Sequence, residues 1–453
     1  MTTSYALPDR RLAAKAMRPS KRLTAPASRV MALTMFDQAA TSVSNFALSL
    51  VVAHYSHARA IGVFAIVEST YILSQGLVRS LSSDCLLTRS ETDDGIMVRY
   101  ESAGYIAALI ASSAVAVCLL AMSPLLTSAF AVPMAIFALC FPFMAAQDFS
   151  RYIGISRLDP EYAIRLDIAT LLLFVAEFVV LRATHHLSLP WLWGSWTVAY
   201  AMVGLTTMRR HLIVRGARHL LAFWVRSERA VALRFAGQFM LVTSWLYLIF
   251  YLIVFVLSIS AVGAVKLAQL AIAPLVVVGA GLQAALTSIA SKRFRSDRRH
   301  AMRFLFLAGV AMWSLIALWT LVAYLMPRHL GVIAFGPTWP KARVYLPYVG
   351  IGFAFSVFTG AANAGLRALR AAKVFLRLAV VMAPVFFLPT LGGAAVWGPL
   401  GFSIGLVVVM ATYAALSWGV LVRIARRTNF GQLGGDEVET DAEVLEFPER
   451  ESA

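Results

Sequence analysis

The sequence predicts an all-α polytopic membrane protein of about twelve transmembrane helices, built as two parallel six-helix lobes. Three observations carry that expectation. Of the 453 residues, 60% are hydrophobic and only 14% charged, and the mean hydropathy is +0.75, far from the balance of a soluble domain. Twelve apolar stretches approach or exceed the ~20 residues that cross a bilayer. The first six resemble the second six in order.

The spans read as 30–54, 60–83, 101–123, 125–147, 163–183, 190–208, 232–257, 261–289, 301–326, 343–362, 373–391 and 397–422. Only Ser123 and Pro124 separate the third from the fourth. The chain divides accordingly. Residues 1–29 form a basic tail, 30–210 an N-lobe of spans 1 to 6, and 211–231 a basic linker. Residues 232–424 form a C-lobe of spans 7 to 12, and 425–453 an acidic tail with the composition of a disordered end.

The net charge of +17 is not a nucleic-acid signal, because the basic residues follow the loops. With both termini in the cytoplasm, only Arg59, Arg182, Arg328, Lys341 and Arg343 of the 40 lysines and arginines fall in outer loops. That asymmetry predicts an N-in, C-in protein of the cell membrane. The basic tail would lean on anionic headgroups. No cleavable signal peptide is visible, since the first apolar run is of full span length. Cys85, Cys118 and Cys140 lack metal-ligand spacing, so no metal and no cofactor are expected.

Three landmarks repeat. Ala60-Ile61-Gly62-Val63, opening span 2, matches Ala261-Val262-Gly263-Ala264, opening span 8. Arg165-Leu166 of span 5 matches Arg377-Leu378 of span 11. Trp193-Gly194-Ser195 matches Trp397-Gly398-Pro399. The offsets are 201, 212 and 204 residues. An even number of spans per repeat gives both lobes one orientation, related by a pseudo-two-fold axis along the membrane normal.

Ionisable groups inside spans are costly and usually face a cavity or a partner. Span 2 carries Glu68, Tyr71, Gln75, Arg79 and Ser82 on one helical face, and span 1 carries Asp37, Thr41, Ser44 and Asn45. Both stripes are expected to line a path. Depth pairs Asp37 with Arg79 near the cytoplasm, and Glu68 with Lys266 toward the outside as a latch. Arg234 and Gln238 of span 7 and Gln269 of span 8 complete the candidate path residues. Thr41 and Ser44 serve equally well as interhelical hydrogen-bonding groups, and Lys266 as a snorkelling side chain. Glu177 would pair with Arg182.

No GxxxxGK[ST] phosphate loop or HExxH pattern occurs. The longest outer segment, 327–342, is too short for a catalytic domain. The chain is therefore not expected to be an enzyme. The Asp-Arg-Gly-Arg pattern of major-facilitator carriers is missing from 83–100.

Phe36 to Arg89 resembles the opening of the polysaccharide and lipid-linked oligosaccharide flippases of the multidrug/oligosaccharidyl-lipid/polysaccharide (MATE-like) superfamily. The resemblance rests on the polar-flecked first span, Gly62-Val63-Phe64, and Gly76 to Arg89. It rests also on Ile333-Ala334-Phe335-Gly336-Pro337-Thr338-Trp339 before span 10. It covers roughly residues 30–425 with degenerate motifs. His54 and Ser288 stand where members often carry Arg and Pro. The resemblance implies a MATE-like flippase fold. It also implies a transporter that moves lipid-linked saccharide or polysaccharide precursors across the cytoplasmic membrane by alternating access of two lobes, with Asp37 or Glu68 coupling to an ion gradient. Membrane lipids, the lipid-linked saccharide and the glycosyltransferases or polymerase of its pathway would be its partners. The alternatives are an ion-coupled multidrug or cation antiporter of the same superfamily and a membrane enzyme of glycan assembly.

Overall fold

A computed structural model describes residues 43–87, 94–157, 159–211, 216–242, 244–369 and 371–427. All regular elements among them are helices. They are α1 (Val43–Tyr55), α2 (Ala58–Leu81), α3 (Ser83–Leu87), α4 (Asp94–Met122), α5 (Ser128–Ser156) and α6 (Pro160–Ala183). Then follow α7 (Leu189–His211), α8 (Ala217–Val242), α9 (Trp245–Val254), α10 (Ile259–Ser296) and α11 (Arg298–Leu325). The last are α12 (Arg328–Phe335), α13 (Trp339–Ala342), α14 (Leu346–Ala368) and α15 (Ala372–Arg427).

Every expected span has helix under it. Among the described residues six helices are long and apolar enough to cross a membrane, and α8 with α9, bent by 48°, makes a seventh if the pair is one span. Spans 11 and 12 share α15, which breaks at Trp397 and Gly398 (φ −122° and 62°). The second half of span 1 is the short apolar α1, and the start of span 8 is the apolar stretch Ile259–Leu275 of α10. Spans 5 and 6, in α6 and α7, fall outside the six. Helix α6 carries Glu161, Arg165, Asp167, Glu177 and Arg182, charges tolerable in a bilayer only when paired or at the ends.

The described residues form two compact units. One holds 43–45 with Tyr71–Gly237, the other Phe46–Thr70 with 238–427. Helix α2 thus gives its first half to the second unit and its remainder to the first.

In the first unit α5 packs against α4, α6 and α7. Its centre is aromatic. Trp193 and Trp196 lie 5.3 Å apart, with Tyr71 5.1 Å and Tyr200 4.7 Å from Trp196. Their polar edges are satisfied, Trp193 Nε1 donating to Pro133 O at 3.1 Å and Trp196 Nε1 to Ser44 Oγ at 3.3 Å. Helix α8 reaches further back than span 7. Trp224 is buried and donates from Nε1 to Leu81 O at 3.2 Å, while Arg218, Arg226, Arg229 and Arg234 stand exposed. One apolar seam with a basic opposite face makes the basic stretch after 216 helical.

In the second unit α14 packs on α10, α11 and α15. Asp297 caps α11, accepting from the His300 backbone N–H at 3.0 Å and pairing with its ring Nδ1 at 2.7 Å. These bonds hold its carboxyl below the usual carboxylate range.

The turn before span 10 is built around Trp339, which is fully buried and stacked on Phe335 at 4.9 Å. Gly336 closes α12 with φ 80°, a conformation most side chains resist. A Cβ there would also overlap the Ala53 carbonyl oxygen. Trp339→Ala is expected to lower stability by about 3–5 kcal/mol, read as a reduced unfolding temperature in detergent. An unchanged midpoint would remove Trp339 from the core.

The first repeat landmark has a structural meaning. Gly62 and Gly263 sit where α2 crosses α10. A Cβ on Gly62 would overlap the Ile259 carbonyl oxygen, and one on Gly263 the Ala58 carbonyl oxygen. The two contacts are related by exchanging each residue with its repeat partner, as a two-fold contact requires. The third landmark is different. Trp193 is wholly buried within α7, whereas Trp397 is 65% exposed at the break of α15. The two tryptophans are not structural equivalents.

Candidate functional site

The polar stripe of α2 serves two places. Its outer member, Glu68, forms an ion pair with Lys266 of α10 in the second unit. Both side chains are largely buried, and the Lys266 ammonium lies 5.6 Å from the centre of the Phe250 ring. Two residues on, Thr70 Oγ1 and Tyr251 OH are 2.5 Å apart. This contact follows the Gly62–Gly263 crossing by one to two turns. Close backbones let the two ionic groups meet in a low-dielectric setting, where each leaves water only because the other compensates it.

The stripe's inner members, Tyr71, Gln75 and Arg79, converge in the first unit with Met144, Asp148, Arg151 and Tyr200 around one narrow cleft. Arg79 was expected to meet Asp37, which lies outside the described residues. Among the described residues its carboxylate partner is Asp148, held as a fork by Nε to Oδ2 at 2.8 Å and Nη2 to Oδ1 at 2.5 Å. Arg151, one turn along α5, reaches Asp148 at 3.4 Å and Asp167 of α6 at 3.0 Å. Gln147 donates to the same Asp167 oxygen at 3.2 Å. Two guanidinium groups and two carboxylates thus alternate in a chain across α2, α5 and α6. Arg79 alone retains a partly exposed side chain, at 31% against 2% for Arg151. Gln75 Oε1 is buried and accepts no hydrogen bond among the described residues, which leaves an unsatisfied acceptor beside the cation. Asp84 of α3 stands nearby, its carboxyl pushed up by burial and pulled back by Arg79.

Of the other sequence-predicted residues, Asn45 is half-buried on α1 and Gln269 half-buried one turn beyond Lys266. Arg234 and Gln238 stand exposed on α8, and neither makes an ion pair or hydrogen bond among the described residues. Glu177 is half-buried on α6 and makes no ion pair there with Arg182. The sequence reading passed over Asp148, Arg151 and Asp167. It also passed over Glu101 of α4, whose carboxylate is forked by Arg157 at 2.5 Å on each oxygen.

Among the described residues no group of three or more His, Cys, Asp or Glu could hold a metal ion. The arrangement offers charge compensation and a guanidinium at a cleft, with no nucleophile–base pair.

A bundle of many apolar helices with paired charges in its interior is the architecture of a multi-pass membrane protein. Residues 238–391 match the MatE family model, and the fold is that of the MATE-like transporters of the MOP superfamily. An inward-facing multidrug resistance MATE family transporter shares 13% identity with a TM-score of 0.63, over 87% of this chain and 96% of the other. The lipid II flippase MurJ, in an inward closed conformation, shares 9% identity with a TM-score of 0.65, over 88% of each chain. A MOP superfamily transporter from Pyrococcus furiosus shares 15% identity with a TM-score of 0.56, over 88% and 95%. No curated protein matches the sequence.

Proposed function

We propose that the protein flips lipid-linked saccharide or polysaccharide precursors, such as those of lipopolysaccharide, across the cell membrane by alternating access. Both termini lie in the cytoplasm in this reading, and the substrate comes from glycosyltransferases or a polymerase of the cell-envelope pathway. The observation that carries it is the distribution of charge. Glu68, Asp148 and Asp167 are each taken by a cation of the chain itself, whereas Arg79, although forked to Asp148, keeps a partly exposed side chain beside the unsatisfied Gln75 Oε1. A cationic drug needs an uncompensated carboxylate. A lipid phosphate needs an arginine that can trade one carboxylate for another anion, and the planar fork of Arg suits both. Gln75 Oε1 would accept from a sugar hydroxyl. The long lipid tail stays in hydrocarbon while the polar head, which cannot cross unaided, passes through protein.

The test is deletion of the gene followed by analysis of lipid-linked sugars on the inner leaflet. One such intermediate is expected to accumulate and surface glycan to fall. The wild-type gene should restore both, whereas Arg79→Ala, produced at equal level, should not. Unchanged glycans together with lost efflux of a cationic dye would overturn the proposal in favour of a cation antiporter.

A further inference from the structure

The repeated Arg165-Leu166 landmark has no part in the ionic chain. Arg165 is exposed near the start of α6. Its Nε donates to the Glu161 carbonyl oxygen at 3.2 Å, and its amino groups make no ion pair among the described residues. It lines a cavity of about 330 Å³ with Tyr162, Leu166, Thr206 and Thr207, within the ordinary range for small-molecule sites. Among the described residues Arg165 is the one charged residue of that lining, and three hydroxyl side chains stand with it. Thr206 and Thr207 each spend their proton on a backbone carbonyl, of Val203 at 2.7 Å and Gly204 at 2.8 Å.

What lies beside the cavity is apolar. From Arg165 an exposed stripe runs along α6 through Ile168, Leu172, Val175 and Val179. From Thr206 another runs along α7 through Leu205, Met202 and Val198. Both helices lie in the first unit and pack against each other. One cation and hydroxyls at the end of two apolar strips match a lipid, with phosphate at one end and acyl chains along the other.

We infer that the cavity between the start of α6 and the end of α7 is a binding site for an anionic glycerophospholipid, its phosphate held by Arg165. Among the described residues the lining carries no carboxylate to receive a choline or ethanolamine ammonium, so a headgroup of net negative charge is favoured over a zwitterionic one. On the positive-inside topology the site opens to the cytoplasmic leaflet. Two residues on, Asp167 turns the other way into the chain with Arg151, so the lipid steadies the helix that carries one end of that chain. The site is separate from the proposed substrate path, and its occupancy does not depend on which cargo the protein carries.

Native mass spectrometry of the purified full chain, titrated with phosphatidylglycerol or phosphatidylcholine, tests the inference. The wild type should bind its first phosphatidylglycerol in preference to phosphatidylcholine. Arg165→Gln should weaken that step about tenfold, as the loss of a charge-assisted contact implies, and Arg165→Lys should weaken it less. Arg377→Gln, at the repeat-equivalent exposed position, should leave it unchanged. Equal weakening in both glutamine variants, or none in either, would overturn the inference. So would displacement of the lipid from the wild type by inorganic phosphate at equal concentration, since the site would then read the free anion. Circular dichroism of each variant verifies that the helices are intact.

Discussion

Replacing Asp148 by alanine is expected to cost about 3–5 kcal/mol of folding stability, the usual penalty for removing one partner of a buried ion pair. The reason lies in the order of charges. Asp148 is the shared member of the chain, accepting the fork from Arg79 and a third contact from Arg151. Among the described residues its loss leaves Arg79 with no paired carboxylate and Arg151 with Asp167 alone. Removing Arg79 as well, in Asp148→Ala/Arg79→Met, leaves the neutral pair Arg151–Asp167. That double variant should recover more than half of the loss. Thermal unfolding in detergent, compared at one scan rate, reads both effects. If the double variant is as unstable as Asp148→Ala alone, the penalty comes from a lost packing contact and not from an orphaned charge. Asp148→Asn keeps the shape and separates the two causes further. It should sit close to the alanine variant if charge dominates and close to the wild type if shape does.

How much of this could be read beforehand follows from what each signal measures. Hydropathy reports apolar length, so the spans were visible, and the internal repeat singled out Gly62 and Gly263 but not the contact they make. Depth along α2 and α10 brought Glu68 and Lys266 to the same level, and they pair. The same hydropathy hid the ionic chain. Span 4 ends at 147 by apolarity, yet α5 runs on to Ser156, and Asp148 and Arg151 are buried in that extension. Their charges resemble those of an inner loop until the partner carboxylate on another helix is known, and sequence spacing cannot supply a contact between residues 79 and 148. The basic stretch before span 7 misled in the same way. Its arginines raise the polarity of a window whose other face, with Trp224 and Phe223, is packed. The third repeat landmark failed because tryptophan and glycine recur for unrelated reasons. Trp193 fills a core, whereas Gly398 supplies a left-handed bend.

The crossing of α2 and α10 gives the second large effect. Gly263→Val should abolish transport while leaving a protein that inserts and purifies normally. A side chain at 263 overlaps the Ala58 carbonyl oxygen, and backbone atoms cannot yield as a flexible side chain can. The helices must part locally, at a cost of about 1–3 kcal/mol for an overpacked contact. Parting them also separates Glu68 from Lys266 one to two turns along, and each buried charge then seeks water. A conformation closed at this end becomes the costly one, and the population shifts toward a state open there. The proposed topology puts that end outside. In a background with Cys85, Cys118 and Cys140 replaced, a cysteine introduced at Ala58, which the crossing buries, should react faster with a membrane-impermeant maleimide when Gly263 is Val. Gly263→Ala, with its single methyl, should fall between the two. Because Gly62 makes the reciprocal contact with Ile259, Gly62→Val should reproduce both the lost transport and the faster labelling. Should either valine variant transport like the wild type, close approach of the two backbones at this crossing is not a requirement of the cycle.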